Sequence, residues 1–267
     1  MRKQQVDLRI KDVDGRRAFL PSALARLSLF STARSGGKEL DSPGRIERAG
    51  GAVVELKNEY GDTAVISSPR RLYCSPDMSV FLSVVALAQK KGIEEYKMNG
   101  FSSSVYMVEI EMRDLYDLLG TSSKHGDRVL ASLEALGSVN VRVRFSDDGK
   151  AQGCVWASGP FWMAKIFRRR GPLGNVLEMN MNEFLLPLQR YVLFADVERL
   201  NSLRIDTAKG IFWSLLHREH LSLFPWEWQA LLQSSDPNLS RWISESFLPA
   251  LRELEKVGFS WEKKNER

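Results

Sequence analysis

Chemistry-bearing residues are scarce in this sequence, and the scarcity closes off several kinds of protein. There are two cysteines, Cys74 and Cys154, too few for a disulfide scaffold and in keeping with a reducing cytosol. The three histidines are His125, His217 and His220. His217 and His220 stand three apart in His-Arg-Glu-His, which fits neither H-E-x-x-H nor its inverted form, and no cysteine lies nearby. No metal and no cofactor are therefore expected. A phosphate loop is missing: Gly36-Gly37-Lys38-Glu39 lacks both the upstream glycine and the hydroxyl that would hold magnesium. No G-x-G-x-x-G, G-x-S-x-G or C-x-x-C occurs, nor the histidine pair of a relaxase. No catalytic residue is expected, and the chain is read as a non-enzyme.

Long apolar runs are missing too. The longest, Val80 to Ala88 with Ser83 inside it, is far short of the roughly 20 residues a membrane span needs. The first turns of the chain mix Arg2, Lys3, Arg9, Lys11, Arg16 and Arg17 with acids and carry no signal-like apolar core. No membrane partner is expected.

What the sequence does have is an ordinary globular balance with a basic lean. Of 267 residues, 43% are apolar and 27% charged, enough for one large domain or two smaller ones. The net charge of +5 leans toward a polyanionic partner.

Residues 1–44 read as a partly flexible arm, broken at Ser35-Gly36-Gly37 and Ser42-Pro43-Gly44, with one apolar island from Phe19 to Phe30. Val53–Lys57 and Thr63–Ser67 look like strands around a turn at Tyr60-Gly61-Asp62. Ser75-Pro76-Asp77 predicts a helix start, with a capping serine, proline at the first position and an acid in the first turn. Met78, Phe81, Leu82 and Val85 then fall on one face, and Lys90-Lys91-Gly92 closes the helix. Val105–Met112 predicts a strand and Arg113–Leu119 a short helix stopped by Gly120. Thr121-Ser122-Ser123 offers caps for a second helix burying Val129, Leu130, Leu133 and Leu136. Val139, Val141, Val143 and Phe145 then alternate with Asn140, Arg142 and Arg144, which is strand periodicity. Ser146 to Lys150 predicts a hairpin turn and Ala151–Trp156 the return strand. Short helix, turn, second helix and basic hairpin is the order of a winged helix-turn-helix.

The order recurs. Asp206–His217 predicts a helix burying Ile205, Ala208, Phe212 and Leu215. Pro225–Leu232 predicts a short one, and Ser234-Ser235-Asp236-Pro237 a cap. The last helix should bury Leu239, Ile243, Phe247, Ala250, Leu254 and Val257, with a kink or break at Pro249, which cannot donate to the carbonyl four residues back. Gly258 should end it and Phe259–Trp261 start a strand. Trp213, Trp226, Trp228, Trp242 and Trp261 follow the apolar stripes and read as core. The expected fold is α+β: two tandem winged-helix domains, residues 45–181 and 182–267, behind the arm at 1–44.

A recognition helix needs a polar first turn outside and an apolar anchor inside. In the first unit this face carries Ser122, Ser123, Lys124 and Arg128. In the second it carries Asn238, Ser240, Arg241 and Ser244, with Arg241 suited to guanine and Asn238 to adenine. Arg142, Arg144 and Lys150 on the hairpin, and Arg168, Arg169 and Arg170 before Gly171-Pro172, would lie along phosphates. Each of these would serve equally as a solvated face.

The segment Arg199-Leu200-Asn201-Ser202, Thr207-Ala208-Lys209, Phe212 and His217-Arg218-Glu219 resembles the R-x-L-x-x-T-A-R, F, H-R-E pattern of the TrfA plasmid replication initiators. Leu248-Pro249-Ala250-Leu251-Arg252-Glu253-Leu254 with Gly258-Phe259 is similar to the L-P-E-L to G-W stretch of RepC. Leu20-Pro21-Ser22-Ala23-Leu24-Ala25-Arg26 through Phe30 is similar to the segment preceding the TrfA domains. The last helix carries fewer basic residues than that of RepC. The resemblance implies tandem winged helices, binding of direct repeats (iterons), origin opening and recruitment of host proteins in the bacterial cytoplasm. Partners expected on this reading are double-stranded direct repeats, single-stranded origin DNA, the sliding clamp, the host initiator and the replicative helicase, with a monomer–dimer equilibrium. Arg26-Leu27-Ser28-Leu29-Phe30 is similar to the clamp-binding pentapeptide, whose Leu27, Leu29 and Phe30 would enter an apolar groove. A second copy, His220 to Phe224, lies between helices and reads as buried. The other reading of two winged helices is a transcriptional repressor of a plasmid or phage operon.

Overall fold

The computed structural model describes residues 16–21, 29–32, 45–48, 51–57, 63–68, 70–97, 104–144, 156–168, 175–182, 185, 192–216, 223–234 and 236–261. Its centre is α1 (Ser79–Lys91), and every residue from Ser79 to Gln89 is buried. The sequence predicts one buried face; the helix is covered all round because Val80, Val84 and Leu87 on the remaining faces are apolar as well. Sheets and helices surround it. β1 (Arg17–Pro21) pairs antiparallel with β11 (Val192–Asp196). β5 (Glu94–Lys97), β6 (Ser104–Glu111), β10 (Asn175–Met181) and β9 (Trp162–Arg168) form an antiparallel sheet in that spatial order. A third sheet runs β2 (Arg45–Arg48), β3 (Gly51–Lys57), β4 (Thr63–Ser68), β7 (Asn140–Arg144), β8 (Trp156–Gly159). The remaining helices are α2 (Met112–Leu118), α3 (Gly126–Gly137), α4 (Val197–Ser202), α5 (Asp206–Leu215), α6 (Pro225–Leu231), α7 (Leu239–Trp242) and α8 (Leu248–Lys256). None is long and apolar enough to cross a membrane.

The approach to α1 departs from the sequence expectation. Cys74–Met78 is a π-helical turn, Ser75 has extended backbone (φ −127°, ψ 128°), and the Ser75–Pro76 peptide is cis. No serine hydroxyl caps the helix. The fully buried Asp77 carboxylate does the work instead, accepting the Tyr73 N–H at 2.9 Å. It also accepts both arms of the Arg70 guanidinium at 2.6 and 2.8 Å and the Ser132 hydroxyl of α3 at 2.7 Å. A carboxylate taken wholly out of water is tolerated only with such a complete set of donors.

The arm is not uniformly an arm. β1 is held on α1 by Gln89, whose side-chain amide donates to the Phe19 carbonyl and accepts the Phe19 N–H, both at 2.8 Å. Leu29 and Phe30 are core residues, 8% and 4% exposed, and the Phe30 ring meets Phe81 and Trp213 at 5.9 and 5.2 Å between centroids. Ser31 bridges the Leu72 carbonyl and the Cys74 N–H through its backbone, while its hydroxyl donates to the Gln233 carbonyl. Thr32 donates to Leu232 from both its N–H and its hydroxyl. The expected clamp-binding peptide is therefore corrected: Leu29 and Phe30 fill the molecule's own core. Leu27 lies outside the described residues.

Beyond β10, the first described elements of the expected second domain are β11 and α4. Asp196 caps α4 by accepting the Arg199 N–H. Asn201 reaches back to Ser83 of α1 and the Leu118 carbonyl, which is why a serine is accommodated inside the most apolar run of the chain. Glu253 of α8 accepts the Arg204 and Ile205 N–H groups that open α5. Buried Lys209 of α5 donates to the hydroxyls of Ser75 and Ser79, and burial lowers its pKa. The buried apolar cluster runs without a break from Ala18 to Leu254. No strand forms at 259–261; the Phe259 ring packs on Phe212 instead.

Asp77→Ala should cost about 2–3 kcal/mol, chiefly because it removes the acceptor of the buried Ser132 hydroxyl and of the Tyr73 N–H; Arg70, 37% exposed, can turn to water. Ser132→Ala should cost about 1 kcal/mol. Urea denaturation checks both, and the pair should be less than additive because the two share one network.

Candidate nucleic-acid interface

The first helix pair is α2 and α3. A Cβ on Gly126 would sit 3.1 Å from the Tyr116 hydroxyl oxygen, so glycine lets the start of α3 come close against α2. Ser123–His125 forms a 3₁₀ turn ahead of α3. Neither Ser122 nor Ser123 caps α3 as predicted: the N-cap is His125, and it makes no side-chain bond. Ser122, Ser123, Lys124 and Arg128 are all exposed, while Val129, Ser132, Leu133 and Leu136 are buried. The polar first turn and the apolar anchor thus fall on opposite sides. Ser132 ties this helix to Asp77.

β7 and β8 follow directly. Arg142 lies opposite Val65 of β4 and Ser158 of β8, and Arg144 opposite Thr63 and Trp156. β7 is therefore an interior strand of five, not one of a free two-stranded ribbon. Arg142 and Arg144 stand at alternate register positions of β7. Arg168 ends β9 opposite Asn175. The side chains of Arg142, Arg144 and Arg168, and the residues Lys150, Arg169 and Arg170, lie outside the described residues.

The second pair is α6 and α7, and here the side chains are fixed in detail. Glu227 accepts the Phe224 N–H and caps α6, and Gln229 of α6 donates to the Asp236 carbonyl. The Asn238 side-chain oxygen accepts the Arg241 N–H at 3.0 Å, so this residue is the N-cap of α7. The cap expected from Ser234 to Pro237 thus sits one residue further on, and Asn238 spends its acceptor on the helix. The Arg241 guanidinium lies against Asp236, Nε to Oδ2 at 3.0 Å and Nη2 to Oδ1 at 2.9 Å. Asp236 Oδ1 also accepts the Asn238 N–H. The Arg241 bonds, followed by that N–H, hold the Asp236 carboxyl below the usual carboxylate range and raise Arg241. Ser240 and Ser244 are exposed, and the Ser244 hydroxyl donates to the Arg241 carbonyl. Asp236 carries the arrangement and sequence reasoning passed over it, taking it for one of a capping cluster; the signal was an acid five residues before an arginine on a helix start.

After α7 comes a π-helical turn, Ile243–Phe247, then α8 with Pro249 in its first turn; the backbone stays helical throughout, so in place of a break the missing N–H of Pro249 follows a widened turn. The tryptophans divide. Trp213, Trp228 and Trp242 are buried, whereas Trp226 and Trp261 are 58% and 38% exposed, against the expectation of core. Trp226 stacks on Phe224, itself 49% exposed, at 6.2 Å and 7°. The second pentapeptide therefore ends on an exposed ring where a buried one was expected. Among the described residues no group of three or more His, Cys, Asp or Glu side chains could hold a metal.

Removing the cap should show what Asn238 does. Asn238→Ala is expected to cost about 1 kcal/mol of stability and Asn238→Asp much less, because aspartate caps equally well; thermal denaturation checks this.

No family profile and no curated protein sequence matches the chain. Its fold is similar to solved structures of RctB domains 2 and 3. One, at 13% identity, covers 84% of this chain and 83% of that one with a TM-score of 0.51. A second, of selenomethionine-labelled protein, covers 83% and 82% at 11% identity with a TM-score of 0.49.

Proposed function

We propose that the chain is a non-enzymatic replication initiator that binds direct repeats in double-stranded DNA at a plasmid or mobile-element origin, opens the origin and recruits host replication proteins. The observation that carries this reading is the repeated pairing of a short helix with a second helix whose first turn is polar and exposed and whose other side is buried: α2 with α3, α6 with α7. Only a narrow element with such a face enters a major groove. Arg142 and Arg144, at alternate positions of β7, would supply phosphate contacts beside the first pair.

The fold likeness supports the same reading from another direction, since RctB is the replication initiator of Vibrio chromosome II. It supports an initiator role and does not extend to the TrfA or RepC families; direct repeats, the plasmid or mobile-element origin and host recruitment rest on the helix pairs and the sequence resemblance instead. The partner to which it commits is origin DNA. Recruitment of a sliding clamp through Leu27, Leu29 and Phe30 is not carried forward, because Leu29 and Phe30 are core.

Two recognition helices in one chain should sit about 10–10.5 bp apart, or a multiple, along one side of the duplex. Footprinting of the full chain on a single repeat from beside its own gene should show two protected groove faces without two-fold symmetry. A palindromic footprint bound only by a dimer would favour a repressor. Affinity should fall steeply with salt, and replacing Arg142 and Arg144 by alanine should flatten the log–log slope by about one to two units. An unchanged slope would remove β7 from the interface.

A further inference from the structure

We infer that Asp236 is a positioning residue that presents Arg241 to a guanine, so that the last helix specifies one G·C pair. The inference rests on the DNA-binding reading above and adds which base is read and what aims the reader. A guanidinium has five N–H donors in a rigid plane. Asp236 takes the Nε–H and one Nη2–H, the side-on edge. The end-on edge that remains pairs one Nη1–H with the second Nη2–H, two parallel donors directed away from the carboxylate, while the other Nη1–H faces the third side of the plane. Guanine shows two acceptors, O6 and N7, in the major groove, and a pair of parallel arginine donors matches both.

Three further features make this a built arrangement and not a chance surface pair. The Asp236 carboxylate is itself fixed, by the Asn238 N–H at 2.9 Å, and its backbone carbonyl is held by Gln229 of the preceding helix. The Arg241 backbone is fixed by the Asn238 cap. The guanidinium is nonetheless open to solvent, with 54% of the Arg241 side chain exposed against 20% for Asp236. An arginine without such a brace samples many rotamers and must give them up on binding; this one is already aimed. Asn238, whose acceptor is committed to the helix, is a frame for this reader and does not read adenine.

The experiment is selection of the full chain on a pool of random-sequence duplexes, with wild type, Asp236→Asn and Arg241→Lys in parallel. Wild type should enrich a motif with one position fixed as guanine. Arg241→Lys keeps the charge and loses the fork. Asp236→Asn keeps an oxygen for the Asn238 N–H but turns an amide N–H₂ toward Nε–H. Both variants should lose the preference at that one position and keep the others, with melting temperature and salt slope unchanged. Replacing the selected guanine by 7-deazaguanine should weaken wild-type binding roughly tenfold and leave Asp236→Asn nearly unaffected. Retention of the guanine by Asp236→Asn, or a uniform loss across all positions with a lowered melting temperature, would overturn the inference while leaving DNA binding intact. If wild type enriches no motif, the sequence-specific reading itself fails and this inference falls with it.

Discussion

One buried carboxylate holds the first half of this molecule in register. Asp77 has no contact with water, so its charge is stable only while Arg70, the Tyr73 N–H and the Ser132 hydroxyl all face it. Arg70 comes from just beyond β4, Tyr73 from the entry to α1, and Ser132 from the middle of α3. The five-stranded sheet, the central helix and the exposed helix of the first pair are thereby fixed to a single point. An apolar residue there would bury more cheaply, but it would leave α3 free to slide along α1. A directional network suits a helix whose exposed face must be presented at one angle.

Much of this was legible in the amino-acid order, wherever the signal was local. The β6–α2–α3–β7 succession follows from Gly120 and Gly137 as stops and from the switch between helical and strand periods. Pro249 marks the irregularity in the last helix, which takes the form of a π turn just before it. The last apolar stripe was legible only in part. Its fully buried members are Trp242, Phe247, Ala250, Leu251 and Leu254, while Leu239 and Ile243 are half-buried. The π-helical turn Ile243–Phe247 closes i→i+5 bonds, which adds one residue to that turn and rotates the stripe away from a 3.6-residue register.

What stayed illegible was non-local. Leu29 and Phe30 look the same in sequence whether they serve a partner's groove or the chain's own core; only Phe81 and Trp213, far along the chain, decide it. Ser75 had every mark of a cap, yet the tertiary demand of Asp77 for a backbone donor moved that role to a different residue. The Asp236–Arg241 pair escaped for the opposite reason. Its partners are close in sequence, but an acid in a capping turn and an arginine suited to a base each have a sufficient role alone, so nothing in the local pattern sets them against each other.

The segment from Leu29 to Thr32 has a consequence for how the chain is made. Ser31 and Gln233 are 202 positions apart, yet they share a hydrogen bond, with Thr32 bonded to Leu232 beside it. At typical synthesis rates that separation leaves Phe30 without Trp213, and Ser31 without its acceptor, for roughly 10–40 s on the ribosome. Contacts of this range also raise contact order, the topological quantity that slows folding. Phe81, Leu72 and Cys74 cover one side of the segment early, whereas its Trp213 and Leu232 side closes only after residues 213–233 have been made, so this end of the core is completed in two widely separated steps.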